Sequence, residues 1–124
     1  EAASRGADPV VCVEKDRATA ALARSNARAT GLSIQVVASS VDAFLAGVSR
    51  RFDVVWLDPP YEVAASVVDA QIAAAADAWL AEDGLVIVER SSRGPGPTWP
   101  ETLPAQRARR YGETTLYLAT KEEA

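Results

Sequence analysis

The sequence contains no histidine and no methionine, and its single cysteine is Cys12. Without histidine, catalytic sites of the Ser-His-Asp or Cys-His type and metal sites with imidazole ligands are excluded. One cysteine cannot form an internal disulfide or complete a structural zinc site, so we expect no metal. The low cysteine content fits a protein of the reducing cytoplasm. No apolar run approaches the roughly 18 residues that a membrane span needs, so we expect no membrane partner.

The composition fits a folded domain, with 124 residues, 48% of them hydrophobic and 24% charged. At roughly 150 residues per domain, we expect residues 1–124 to belong to a single domain. The formal net charge of −4 argues against a general nucleic-acid coat protein. Five arginines nevertheless fall between Gly84 and Gly112, and they form either an ordinary solvated surface or a local phosphate-facing patch.

Strand and helix patterns alternate along the chain, which predicts an α/β fold with a mostly parallel sheet. Asp16 is a plausible N-cap and Gly31 a plausible left-handed C-cap for the helix between them. An antiparallel hairpin is expected at the end of the chain. The predicted strands are 10–13, 34–37, 52–57, 85–88, 107–111 and 114–120, and the predicted helices are 17–30, a short helix ending at Leu45, and 63–80.

Burial can also be predicted from these patterns. The continuous apolar run Val10–Val13 is typical of a strand that is buried on both faces of a parallel sheet, with Cys12 an inert buried thiol. Trp56, inside the third strand, is expected in the core. The first helix offers small and apolar side chains for its inner face, namely Ala20, Ala21, Leu22 and Ala27.

The segment Asp58-Pro59-Pro60-Tyr61 follows the most convincing strand, Phe52 to Leu57. Two prolines cannot continue a sheet ladder, so the strand must end there. Ligands of open α/β sheets bind beyond the carboxyl ends of the strands, where Asp58 would stand. The alternative is that Asp58-Pro59-Pro60 is only a strand-terminating turn and Tyr61 a packed aromatic at the rim.

These residue types suit the methylation of an exocyclic amine on a nucleobase, whose lone pair is delocalised into the ring. Acceptors that hold the N–H protons let the nitrogen pyramidalise toward a methyl donor. The Asp58 carboxylate is one acceptor and the Pro59 carbonyl another, with Pro60 stiffening the backbone. Tyr61 offers a face on which a base can stack, a contact worth about 1–3 kcal/mol.

A second candidate site follows the first strand. An acidic residue at this position of an α/β fold often accepts hydrogen bonds from ribose hydroxyls, so Glu14 is the candidate for that role, or else a solvated charge. Asp16 is assigned to helix capping, and Lys15 is a residue that could line an adenine. Ser40 and Val41, after the next strand, are either near an adenine edge or simply part of a helix cap.

In these residues the chain resembles class I S-adenosylmethionine-dependent methyltransferases that methylate amino groups. More narrowly, it resembles bacterial RsmD-type enzymes, which methylate the N2 amine of a guanine in small-subunit ribosomal RNA. The matching segments are Ser4-Arg5-Gly6-Ala7, Val13-Glu14-Lys15-Asp16, Phe52 to Tyr61, Val88-Glu89 and Tyr111 to Leu116. The resemblance implies a Rossmann-like fold, S-adenosylmethionine as the cofactor, and ribosomal RNA or the small ribosomal subunit as the partner.

The resemblance also implies residue roles. It makes Asp58, Pro59, Pro60 and Tyr61 the catalytic segment, with Asp58 also at the cofactor. The glycine-rich cofactor loop of the family and the strand before it are absent from the 124 residues, so we expect a fold that is incomplete at its N-terminus. Two alternatives remain: a DNA adenine-N6 methyltransferase, which shares Asp-Pro-Pro-Tyr, and an inactive fragment or interaction module.

Overall fold

A computed structural model describes residues 10–31, 34–47, 50–60 and 62–121. The chain divides into two compact units, Glu1–Gly47 and Val48–Ala124. The elements in chain order are β1 (Val10–Glu14), α1 (Arg17–Thr30), β2 (Ile34–Ala38), α2 (Val41–Leu45), β3 (Phe52–Leu57), α3 (Ala65–Ala78), β4 (Leu80–Ser91), β5 (Ala105–Tyr111) and β6 (Thr114–Thr120).

The first unit is built on the parallel pair β1 and β2, which α1 connects. Helix α1 begins after the N-cap Asp16, whose carboxylate accepts a hydrogen bond from the Thr19 amide at 3.0 Å. It ends at Gly31, whose φ of 70° is the left-handed conformation that favours glycine. The predicted bounds and caps of this helix are therefore confirmed.

The inner face of α1 differs from the prediction. Ala20 and Ala27 are buried, but Ala21 is exposed and Leu22 is 61% exposed. Ala20 and Ala27 lie on one side of the helix with Arg24, which is exposed but whose guanidinium donates to the Val36 carbonyl at 3.0 Å. Positions 21 and 22 lie on other sides of the helix.

Strand β1 is also less buried than its apolar sequence predicts. Cys12 is exposed, whereas its neighbours Val11 and Val13 are half-buried. Successive side chains of a strand point to opposite faces, so Cys12 lies on the face opposite to both valines. The prediction of a strand buried on both faces, with an inert buried thiol, is wrong here.

The second unit is a four-stranded sheet in the order β3-β4-β6-β5. Strands β3 and β4 are parallel, and β6 is antiparallel to both β4 and β5. Parallel pairs with an antiparallel C-terminal hairpin confirm the predicted Rossmann-like α/β class. The core of this unit joins α3 to the sheet and includes Val68, Ile72, Ala75, Ala76, Leu80, Val86 and Val88, all at most 2% exposed.

Trp56 does not join this core. It is 54% exposed, while the next residue, Leu57, is 8% exposed. Because side chains alternate along β3, Trp56 lies on the face opposite to Leu57, together with the half-exposed Val54.

Helix α3 ends two residues before the predicted end at Leu80. The Phe52 amide donates to the Trp79 carbonyl at 2.8 Å, and Leu80 pairs with Phe52 in the sheet. Leu80 is fully buried in this position, so strand pairing prevails over the helical preference of the alanine-rich sequence. The register then shifts before Leu85, and Asp83 within the shifted stretch has a φ of 60°.

Two basic side chains stabilise the C-terminal end of α3. The Arg51 guanidinium donates to the carbonyls of Asp77 and Leu80, at 2.9 and 3.1 Å. The Lys121 ammonium lies 3.5 Å from the carbonyl oxygens of Ala76 and Leu80. Cations at a helix C-terminus are favourable because the last carbonyls carry partial negative charge.

Candidate active site

The Asp58-Pro59-Pro60 segment lies where β3 ends and β4 continues. Leu57 pairs with Val88, and β4 runs three residues further, to Ser91. Because the two strands are parallel, their carboxyl ends meet at one edge of the sheet. Asp58 is exposed at that edge, directly after the buried Leu57. The sequence prediction placed this segment correctly.

A cleft of about 310 Å³ opens at this edge of the second unit. Its wall combines residues from the end of β3, the end of β4 and the start of β6: Asp58, Pro59, Pro60, Glu62, Glu89, Arg90 and Thr114. Three carboxylates and one guanidinium line it. This charge balance favours donor groups such as an amine over an anion such as phosphate.

The Asp58 side chain faces the cleft. Among residues 10–31, 34–47, 50–60 and 62–121, no hydrogen bond or ion pair engages this carboxylate, and the side chain is exposed. An ionised carboxylate accepts only, and its two oxygens can each take an N–H. Tyr61, the fourth predicted residue of the segment, lies outside the described residues.

Arg90 is the functional candidate that the sequence prediction missed, since it was identified there only as one of five arginines between Gly84 and Gly112. Its guanidinium donates to the Pro60 carbonyl at 3.4 Å and to the Val63 carbonyl at 3.1 Å. The signal for it was available in the strand order. Arg90 lies two residues past Val88, the partner of the last β3 residue Leu57, so it comes near the segment that follows β3.

The first unit holds the predicted ribose ligand. Glu14 is the last residue of β1 and is half-buried. One carboxylate oxygen accepts from the Asp16 amide at 3.0 Å, which fixes the direction of the side chain. A carboxylate held in this way still offers acceptor positions for a pair of hydroxyl groups, so its chemistry fits a ribose.

Asp16 acts as a helix cap, as predicted. Hydrogen bonds from the Thr19 side chain, then from the Thr19 amide, hold the pKa of the Asp16 carboxyl below its ordinary value of 3.8. Lys15, beside it in the sequence, is exposed. The carboxylate of Asp16 is thus engaged in the helix.

Ser40 is the N-cap of α2, and its hydroxyl oxygen accepts from the Ala43 amide at 3.1 Å. Val41 is the first residue of that helix and is half-buried. The capping alternative for Ser40 is therefore present in the structure, and its role toward an adenine stays a prediction.

Over the described ranges, no three residues with histidine, cysteine or carboxylate side chains come together as metal ligands could. None of the helices in the described part of the chain has the length and the hydropathy that a membrane span requires.

An α/β sheet that carries Asp-Pro-Pro at the carboxyl end of a strand is the arrangement expected of a Rossmann-like methyltransferase. The family model described as "Conserved hypothetical protein 95" matches residues 1–120. The chain belongs to this family, whose members are RsmD-type class I methyltransferases. No curated protein matches the chain.

Solved structures agree with this assignment. The protein yhhF of Escherichia coli, described as a candidate methyltransferase, is 27% identical with a TM-score of 0.87, over 98% of this chain and 68% of its own. A candidate methylase from Haemophilus influenzae is 26% identical with a TM-score of 0.81, over 97% and 76%. A candidate rRNA methylase from Clostridium thermocellum shares the fold alone, at 10% identity and a TM-score of 0.67, over 92% and 73%.

Proposed function

We propose that the protein transfers a methyl group from S-adenosylmethionine to the N2 amine of a guanine in small-subunit ribosomal RNA. The observation that carries the proposal is the exposed Asp58 at the carboxyl edge of β3, followed by two prolines, in a member of this methyltransferase family. Residues 1–120 match one family model, which supports a single methyltransferase domain. A cytoplasmic location follows from a ribosomal substrate.

The proposal gives Asp58 and Pro59 the task of holding the amine. The Asp58 carboxylate accepts one N–H, and the Pro59 carbonyl accepts the other, so that the nitrogen lone pair turns out of conjugation with the ring. The proton released after the transfer is held at the Asp58 carboxylate before it passes to water. Pro60 limits backbone rotation because its ring fixes φ. Tyr61 is proposed as the stacking face for the base.

The cofactor residues are assigned separately. Bound S-adenosylmethionine supplies an electrophilic methyl group. Glu14 would accept hydrogen bonds from its ribose hydroxyls, and Lys15, Ser40 and Val41 would contact its adenine. Asp58 is proposed to lie at its methyl group. The held carboxylate of Glu14 supports the ribose role, since two vicinal hydroxyl groups need an acceptor with fixed direction.

A product analysis tests the proposal. The protein is incubated with radiolabelled S-adenosylmethionine and, in parallel, with small-subunit ribosomal RNA, assembled small subunits and duplex DNA. The products are then digested to nucleosides and identified by mass spectrometry. We expect N2-methylguanosine from the ribosomal substrates. N6-methyladenine from DNA alone would overturn the RNA assignment, and the absence of any methylated nucleoside would favour an inactive fragment or interaction module.

A further inference from the structure

Arg90 connects β4 to the segment that links β3 and α3. Its side chain is half-buried, and its two terminal nitrogens reach two different backbone carbonyls, those of Pro60 and Val63. The two contacts span 30 and 27 residues of sequence. Arg90 therefore links β4 to Pro60 and Val63, the two ends of the short segment that precedes α3.

The Pro60 carbonyl is the point where this segment is held. The Val63 amide donates to the Pro60 carbonyl at 3.1 Å, so this carbonyl accepts from both Val63 and Arg90. Helix α3 follows with Ala64 at its N-cap, which makes no side-chain capping hydrogen bond. Its first turn holds no acidic residue either. A capping side chain commonly holds the backbone at the start of a helix. Here the Arg90 guanidinium holds it instead, through the Val63 carbonyl.

The backbone geometry explains why such a fixed point matters beside two prolines. A proline ring fixes φ but leaves ψ free to rotate. A hydrogen bond to the Pro60 carbonyl removes that freedom, because rotation about ψ would swing the carbonyl away from the guanidinium. The planar fork of arginine can reach two carbonyls at once, which a single lysine ammonium cannot do with the same geometry.

We propose that Arg90 is a positioning residue that locks the Asp58-Pro59-Pro60 segment against β4, so that the acceptors for the amine stay in place. The role in methyl transfer rests on the proposed function, whereas the locking of the segment does not. Arg90 acts through Pro60 and Val63.

Hydrogen exchange tests the locking. The variants are Arg90→Gln and Arg90→Lys. The matched control is Arg93→Gln, which changes an exposed arginine paired with Glu113 at 3.0 Å. We expect the Val63 amide to exchange about tenfold faster in both Arg90 variants and unchanged in the control, because the Pro60 carbonyl loses its anchor.

The core amides of Ile72 and Val88 report global stability and should exchange as in the wild type. Unchanged Val63 exchange in Arg90→Gln, with the core still protected, would overturn the proposal. If the core amides of Arg90→Gln also exchange faster, the test uses Arg90→Lys, which keeps the positive charge in the half-buried position. Unchanged Val63 exchange in that variant, with the core protected, would then overturn the proposal.

Kinetics test the consequence for methyl transfer. We expect kcat to fall at least about tenfold in both Arg90 variants, with KM for S-adenosylmethionine within about twofold of the wild type and no rescue by lysine. Faster Val63 exchange with unchanged kcat would overturn the link to catalysis. A wild-type protein without methyl transfer would refute the proposed function, while the exchange data still decide whether Arg90 locks the segment.

Discussion

Asp58 is the side chain on which the proposed chemistry depends most. It is exposed at a cleft with two other carboxylates, Glu62 and Glu89, so its role has to be separated from that of general negative charge. Its position directly after a buried strand residue could be predicted because the two prolines force the strand to end.

Replacing this acceptor is the first prediction. We expect Asp58→Asn to lower methyl transfer by about 10²-fold or more, because the amide cannot take up the proton and presents one acceptor in place of two. Binding of S-adenosylhomocysteine, measured by calorimetry, should change little. Asp53→Asn is the control, since Asp53 is an exposed carboxylate on β3, the strand that Asp58 follows. Unaltered turnover in Asp58→Asn would refute the assignment.

Arg90 shows where sequence reasoning about single residues fails. The roles of Asp16 and Gly31 were predictable because a cap acts on backbone groups within a few positions. Arg90 acts on carbonyls 27 and 30 residues earlier in the chain. No local pattern contains such a contact, and it becomes visible only when β3 and β4 are known to be neighbours.

Helix α1 illustrates an element whose limits depend on its caps. Asp16 accepts from both the amide and the hydroxyl of Thr19. Since the folded state lowers the pKa of Asp16, the carboxylate stabilises the helix at pH values above its ordinary pKa of 3.8. That contribution is lost as the pH falls through the lower folded value.

The second prediction follows from this capping carboxylate. The Thr19 amide should show a chemical shift that titrates below pH 3.8 in the wild type, because protonation weakens the hydrogen bond. Asp16→Asn keeps an N-cap acceptor without a charge, so its Thr19 shift should stay constant over the same range. Equal titration curves by NMR in the two proteins would contradict the assignment.

Strand β4 carries a register shift that the sequence did not predict, and Asp83 and Gly84, which precede the predicted strand 85–88, lie within β4. A Cβ atom at Gly84 would lie 2.6 Å from the Ala81 carbonyl oxygen and 2.6 Å from a methyl carbon of Leu80. A backbone oxygen in an internal position cannot move as a flexible side chain does. The close approach explains why this position requires glycine.

The third prediction concerns this glycine. We expect Gly84→Ala to lower the free energy of unfolding by about 1–3 kcal/mol, because the added methyl forces the shifted stretch apart. Gly94→Ala is the matched control, since its nearest neighbour would lie 3.9 Å away. Urea denaturation followed by circular dichroism gives both values. A Gly84→Ala protein as stable as the control would contradict this prediction and would show that the shifted stretch of β4 can accommodate the methyl group.

The net charge of the chain affects how strongly it binds nucleic acid without sequence specificity. The formal net charge is −4, and the candidate cleft adds three carboxylates to one guanidinium. Non-specific binding to nucleic acid arises from neutralisation of phosphates by basic side chains. An acidic protein of this kind should therefore discriminate strongly between its substrate and unrelated duplexes.

The fourth prediction tests that expectation. In filter-binding assays at physiological salt, we expect affinity for random duplex DNA weaker than a Kd of about 10⁻⁴ M. Binding to small-subunit ribosomal RNA should be tighter. Arg107 and Arg109 are exposed on β5, and as phosphate contacts their joint replacement, Arg107→Gln with Arg109→Gln, should flatten the salt dependence by about two units of slope. Tight, steeply salt-dependent binding to random DNA would contradict this picture.

The half-exposed Trp56 gives the protein a built-in optical reporter. Trp56 is 54% exposed and Trp99 is half-buried, whereas Trp79 is 5% exposed and stacks on Phe52 with ring centroids 6.4 Å apart. A tryptophan in contact with water emits at longer wavelength and is quenched by acrylamide more readily than a buried one. Because Trp56 precedes Asp58 by only two residues, the red-edge emission of the unlabelled protein should respond when a base or cofactor occupies the end of β3.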